Sequence, residues 1–286
     1  QPDGAGVQHV VIQGPRGMGK TTLLLMLRMR VLECDLADQW QPIKFPEELY
    51  GVSDLADLWL ETLRLLGHDT KDPALDETAD SVREDFTEYK TLHDGAFAAL
   101  REWRRVHGKR LLLLIDNLEL ILDQIGDEQE NARLRNLLMN DGTVMIVGGA
   151  TSFFEEARAH DQPLYNFFQF YNLAGLSHEE VLDLLRRRAE RDNIQDFESF
   201  LERNMARVQA LEYFTAGSPR LVLMLYRVVT QSDFGEARKG LEKLLDEVTP
   251  YYKAKTEARP PQQRKILDHI ARESALNEAG PVRLSL

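Results

Sequence analysis

The sequence predicts a doubly wound α/β domain followed by an all-helical module, and three observations carry the prediction. Leu111–Ile115 is a continuous aliphatic run ending in Asp116, the pattern of a strand buried on both faces of a parallel sheet. Gly14–Thr21 is a glycine-rich turn set between an apolar strand and an apolar helix. Beyond about residue 175 helical periodicity continues while strand signals stop.

The elements follow in order. Residues 8–12 read as a short buried strand and Thr21–Leu32 as the helix after the glycine turn. Residues 41–45 read as a second strand, at a sheet edge because Pro42 lacks an amide hydrogen. Ser53 suits a helix start and Gly67 its end, with Leu55, Leu58, Trp59, Leu63 and Leu66 recurring between them at helical spacing. The acidic stretch 68–85, with Pro73, reads as a loop or a weak helix start, before a long helix to about Val106. Strands then fall at Arg110–Ile115, Thr143–Val147 and Phe170–Leu173. Ser177 and Glu180 form a capping box before an apolar run. Helices follow at about 178–191, 196–213, 219–231 and 235–248, and Pro260-Pro261 opens another over Gln262–Glu273. The expected domains are 1–175 (α/β), 176–250 (helical) and 251–286.

Composition narrows the function. At roughly 150 residues per domain, 286 residues suggest two domains. Lys plus Arg number 35 and Asp plus Glu 47, a net charge of −12 that argues against a surface built to neutralise DNA phosphates, though not against one small basic patch. The single cysteine, Cys34, rules out an intrachain disulfide and points to a reducing, cytoplasmic setting. No aliphatic run is long enough for a bilayer, the N-terminus has no signal-peptide pattern, and both ends look cut. The seven histidines show no metal-ligand spacing, G-x-S-x-G is absent, and Arg186-Arg187-Arg188 reads as a solvated helix face.

Four motifs carry chemistry. Gly14-Pro15-Arg16-Gly17-Met18-Gly19-Lys20-Thr21 is G-x-x-x-x-G-K-T in its required strand–helix context, with Thr22 next in the helix. Its glycines let successive amides point at phosphate oxygens, the helix N-terminus adds partial positive charge, Lys20 reaches the β- and γ-phosphates, and Thr21 ligates Mg²⁺. Asp116, closing an apolar strand, suits the second-sphere Mg²⁺ role; an aspartate there also suits a helix cap. Asn117 stands after it, and an amide takes no proton at neutral pH. Glu119 is close in sequence but faces away if a helix begins there. Glu47 and Glu48, after the second strand, are within reach of the γ-phosphate side, and equally suit a helix start. Thr151 with Ser152, after the strand 143–147, reads either as a γ-phosphate sensor or as a helix cap. Pro219-Arg220 opens a helix, where an arginine opposes the helix dipole and so invites a partner elsewhere. No Asn-Lys-x-Asp motif is present, which favours ATP over GTP.

Taken in order, these motifs resemble the STAND ATPases, in particular their MNS-like branch, and the related initiator-type AAA+ ATPases. The resemblance rests on Gly14–Thr21, Phe45–Gly51, Ile115-Asp116-Asn117, Gly148–Ser152, Pro163–Phe168 and Gly217-Ser218-Pro219-Arg220, and covers nearly the whole chain. The phosphate loop is generic, whereas Asp-Asn combined with Gly-x-Pro-Arg is more specific. The resemblance implies a P-loop NTPase parallel sheet with helices on both faces, an all-helical lid, and the start of a winged helix from about residue 255. It implies that Pro219 lines the adenine side and Arg220 acts as sensor 2. It also implies ATP/ADP and Mg²⁺ as cofactors, slow hydrolysis, and switching in which nucleotide sets lid position and assembly. Self-association or a partner protein would act through flanking domains. Two departures stand out: no arginine lies near Tyr165-Asn166, where initiator ATPases carry an arginine finger, and the family's segment upstream of the first strand is missing. The alternatives are a DNA-binding initiator or transposition-type ATPase and a scaffold with permanently bound ADP; a small-molecule kinase is more remote.

Overall fold

A computed structural model describes residues 7–47, 51–85, 89–125, 128–151, 164, 166–205, 208–209, 212, 215–230 and 259–277. The chain divides into two compact units, Gln1–Leu176 with Ser218–Arg220, and Ser177–Gly217 with Leu221–Leu286. No helix among the described residues is long and apolar enough to cross a membrane.

The first unit is built on β1 (Val10–Gln13), β2 (Trp40–Lys44), β3 (Arg110–Ile115), β4 (Val144–Ala150) and β5 (Gln169–Asn172). They form one parallel sheet in the order β2-β3-β4-β1-β5. The helices are α1 (Lys20–Glu33), α2 (Leu55–Thr70), α3 (Ala74–Asp85), α4 (Tyr89–His107), α5 (Leu118–Ile125) and α6 (Glu128–Asn140). Period-two alternation divides the strands between two cores. Ile12, Leu112, Leu114 and Val147 meet Leu24 and Val31 of α1 on one face. Val11, Leu111, Leu113, Ile115, Val144 and Ile146 meet α2, α4, α5 and α6 on the other, around Trp59, Phe97 and Leu100. The predicted P-loop NTPase sheet with helices on both faces is therefore present. Pro42 lies on β2, which among the described residues is an edge strand paired only with β3, so its missing donor faces no second described strand.

Four local expectations are corrected. The N-cap of α2 is Asp54, whose side chain accepts the Asp57 amide at 2.8 Å; the Ser53 hydroxyl donates to the Asp57 carboxylate instead. The helix runs through Gly67 to Thr70 and stops at Lys71 in the left-handed conformation (φ 57°). Gly67 is there for close approach: a Cβ would lie 3.0 Å from the Asp72 carbonyl and 3.2 Å from the Leu75 Cβ. Stretch 68–85 is largely helical, because Leu75 and Ala79 bury one face of α3 against the core while its acidic residues face outward. Finally, β4 does not stop at Val147 but continues through Gly148-Gly149 to Ala150, all three buried.

In the second unit α7 (His178–Arg191) carries the predicted capping box, with both reciprocal bonds formed between Ser177 and Glu180. It is followed by α8 (Phe197–Arg203), α9 (Pro219–Thr230) and α10 (Pro261–Asn277). Among the described residues Val181, Leu185, Ala189, Phe197, Leu201, Val208, Val222 and Tyr226 are its buried hydrophobic side chains. Of the expected winged helix only α10 falls among the described residues, with Ile266 and Leu267 exposed. The helix expected at 235–248, residues 206–207, 210–211 and 213 of the helix expected at 196–213, and the Gly280-Pro281 turn lie outside them.

His9, just before β1, is a buried titratable group, only 1% exposed. Its Nδ1 accepts the Ile146 amide at 3.0 Å and its ring stacks on Phe167 at 4.9 Å. Burial pushes the imidazole down from 6.5 to about 4. On acidification the unfolded chain therefore takes up the proton first, so stability is complete above pH 6.5 and falls as pH drops toward about 4. The loss is on the order of 3 kcal/mol across that window. His9→Gln keeps an acceptor for the Ile146 amide and removes the titration. Melting temperature measured from pH 7 to pH 5 should fall more steeply for the native chain than for His9→Gln; equal slopes would rule this out.

Candidate nucleotide site

The motif residues converge at the C-terminal ends of the parallel strands, where ligands of such sheets bind. Gly14 leaves β1 with its amide on the Ala150 carbonyl at 3.1 Å, tying the loop to the end of β4. Gly17 and Gly19 then take φ values of +86° and +91°, a conformation that side chains disfavour and that curls the loop back on itself. Gly19 precedes α1 directly and has no side chain to cap it, and the first turn of α1 contains no acidic residue. The helix N-terminus thus keeps amide donors and partial positive charge for an anion.

Lys20 is 6% exposed, and its Nζ donates to the carbonyls of Gly14 at 2.7 Å and Pro15 at 3.0 Å, inside the concave side of the loop. The Thr21 hydroxyl donates to Asp116 Oδ2. Asp116 is 3% exposed, and its Oδ1 accepts the Asn117 amide at 3.1 Å. A Cβ on Gly149 would lie 2.9 Å from that same Oδ1, and one on Gly148 would lie 2.8 Å from the Leu118 Cβ. The two glycines therefore let β4 close against Asp116 and α5 at once.

Thr22, Pro15 and Arg16 are exposed, Met18 is buried, and Glu47 is exposed beyond β2. Glu48, Ser152, Pro163 and Tyr165 lie outside the described residues. Ser218–Arg220 group with the first unit. The Arg220 amide donates to the Gly17 carbonyl at 3.2 Å, and a Cβ on Gly17 would meet the Arg220 Cβ at 3.0 Å. Pro219 is half-buried and the Arg220 side chain exposed.

Glu119 corrects the sequence reading. It does not face away: it is 7% exposed, and its Oε1 accepts both the Thr151 amide at 2.7 Å and the Thr151 hydroxyl at 2.8 Å. Asn117 adopts φ +50°, a turn that starts α5 at Leu118 and swings position 119 toward the end of β4. Lys44 was missed altogether. It ends β2, and its Nζ donates to the Phe45 carbonyl at 2.6 Å. Burial pushes its ammonium below the usual lysine value, partly opposed by the carboxylates of Asp116 and Glu47. The available signal was a lysine at the C-terminal end of the strand beside Asp116's own.

Among the described residues no three His, Cys, Asp or Glu side chains cluster to hold a metal. A Mg²⁺ ion carried on phosphates needs less: one or two protein oxygens, with phosphate and water completing its octahedron. The hard oxygens of Thr21 and Asp116, already side by side, fit that donor set.

No family model and no curated protein matches the chain. Solved structures do. A Walker-type ATPase of Pyrococcus abyssi is 15% identical with a TM-score of 0.56, covering 86% of this chain and 69% of that one. The Aeropyrum pernix ORC1 protein in complex with DNA is 15% identical with a TM-score of 0.54, covering 96% and 67%. The Aeropyrum pernix ORC2 protein, solved with ADPNP and ADP, is 15% identical with a TM-score of 0.51, covering 84% and 63%. The chain thus spans about two thirds of each, and what it shares with all three is the P-loop NTPase fold.

Proposed function

We propose that the chain binds ATP with Mg²⁺ at Gly14–Thr21 and works as a nucleotide-controlled switch with slow hydrolysis. The observation that carries this is the meeting of Lys20, Thr21 and Asp116 at the mouth of one glycine loop. The loop amides and Lys20 would hold the phosphates, Thr21 and Asp116 would hold the ion, and Thr151, which follows β4, would act as the γ-phosphate sensor. Mg²⁺, when bound, neutralises phosphate charge and polarises the γ-phosphoryl group. Asn117, in the place where a glutamate commonly polarises water, supports slow turnover. The Asp116-Asn117 pair together with Gly217-Ser218-Pro219-Arg220 supports the signal-transduction branch, in which Pro219 borders the base and Arg220 senses the last phosphate. The bond from the Arg220 amide to Gly17 supports that coupling, because it joins the phosphate loop to the start of α9. One charge-assisted contact from Arg220 to the γ-phosphate, about 1.5–3 kcal/mol, shifts a two-state equilibrium by one to two decades.

A second reading is an initiator-type ATPase that binds DNA. The likeness to an ORC1 protein solved with DNA favours it, and the net charge of −12 weighs against it.

Three outcomes test these readings. Lys20→Ala should weaken ATP binding by about 10- to 150-fold in calorimetry; unchanged affinity contradicts the site. Solution scattering with ATP and with ADP should differ for the native chain and coincide for Arg220→Ala; identical native profiles remove the switch. Affinity for duplex DNA that falls steeply as salt is raised would establish the second reading, and no binding at 50 mM salt would discard it.

A further inference from the structure

We infer that Glu119 is the carboxylate that takes the proton from the water attacking the last phosphate of ATP. The inference rests on the ATP-binding reading above. Hydrolysis needs a proton acceptor beside the γ-phosphate, and the residue after Asp116 is an amide, which cannot serve. The structure places another acid at the same end of the sheet. Glu119 is nine-tenths buried, and Thr151, at the end of β4, holds only one of its oxygens. The other, Oε2, is buried with no hydrogen-bond partner among the described residues. A buried carboxylate oxygen without a donor is unfavourable and calls for a reason. A proton-accepting role supplies one, since the acceptor keeps a lone pair free of any donor; Oε2 is closed to solvent in this structure, so the role requires nucleotide binding to admit the water beside it.

Other acids fit less well. Glu130 is as buried, but its Oε1 is taken by Arg133 at 2.7 Å within α6. Glu47 is exposed beyond β2 and stands in the field of Lys44. Asp116 is engaged by Thr21 and Asn117.

The step balances without a further reactant. The water oxygen bonds to the γ-phosphorus while the bond from that phosphorus to the β–γ bridging oxygen breaks. The electron pair of the broken bond leaves with ADP. The water proton passes to Glu119 Oε2 and is given up as inorganic phosphate departs. Thr151 orients the carboxylate by its two bonds to Oε1.

A purely structural Glu119, pinning the end of β4, would need only an acceptor oxygen. Glu119→Gln keeps that oxygen for both Thr151 bonds and removes the base, so it separates the two roles. The experiment measures ATP affinity by calorimetry, single-turnover hydrolysis, and the nucleotide recovered from the protein after incubation with ATP and Mg²⁺. With Glu119 as base, Glu119→Gln binds ATP within about threefold of the native chain, hydrolyses it 10²- to 10⁴-fold more slowly, and yields ATP where the native protein yields ADP. Should Gln lower the melting temperature, Glu119→Asp keeps the charge with a shorter reach and should retain a rate between native and Gln. Native-like hydrolysis by a Gln variant that binds ATP overturns the assignment, as does a native chain that binds ATP without turning it over. A native chain that does not bind ATP defeats the reading beneath it as well, and calorimetry alone reveals that case.

Discussion

The bond between the Thr21 hydroxyl and the Asp116 carboxylate is the interaction on which the candidate site depends. It joins residues 95 positions apart, one at the first turn of α1 and the other at the end of β3. Asp116 is 3% exposed, and a buried carboxylate is tolerable only where donors or a cation meet it. The Thr21 hydroxyl and the Asn117 amide are those donors. The same two side chains would hold a magnesium ion carried on the phosphates, with Asp116 in the second-sphere role.

That pairing is set by the sheet rather than by the loop. In the parallel order β2-β3-β4-β1-β5, the glycine loop after β1 lies one strand away from β3, with β4 between them. The intervening strand must be thin where it passes Asp116, and Gly148-Gly149 make it so: any side chain there would strike Leu118 or the Asp116 carboxylate. Beyond the glycines, Thr151 turns back onto Glu119. Core and site are thus one construction: the alternation that buries Leu111, Leu113 and Ile115 on one face and Leu112 and Leu114 on the other delivers Asp116 to the phosphate loop.

Much of this was legible in the sequence because the signals were local and periodic. Leu111–Ile115 is apolar throughout and could hardly be anything but an interior strand, and Pro42 marked the edge. The glycine octet carries its own geometry. What stayed hidden depends on contacts between distant segments. The helicity of 74–85 comes from Leu75 and Ala79 reaching the core, not from its acidic composition. Gly67 looked like a stop signal and is a packing point for the chain at Asp72 and Leu75. The direction of Glu119 depends on the left-handed turn at Asn117, which no periodicity reveals. Lys44 matters only because β2 runs beside the strand that ends at Asp116.

The central claim is that the backbone of one loop grips a nucleotide triphosphate. Hydrogen exchange at the amides of Gly17–Thr21, followed with and without ATP and Mg²⁺, examines that grip directly. The account predicts that these amides, unlike those of the distant α3, exchange markedly more slowly once ATP and Mg²⁺ are added. Exchange at Gly17–Thr21 that is the same with and without the nucleotide would contradict it.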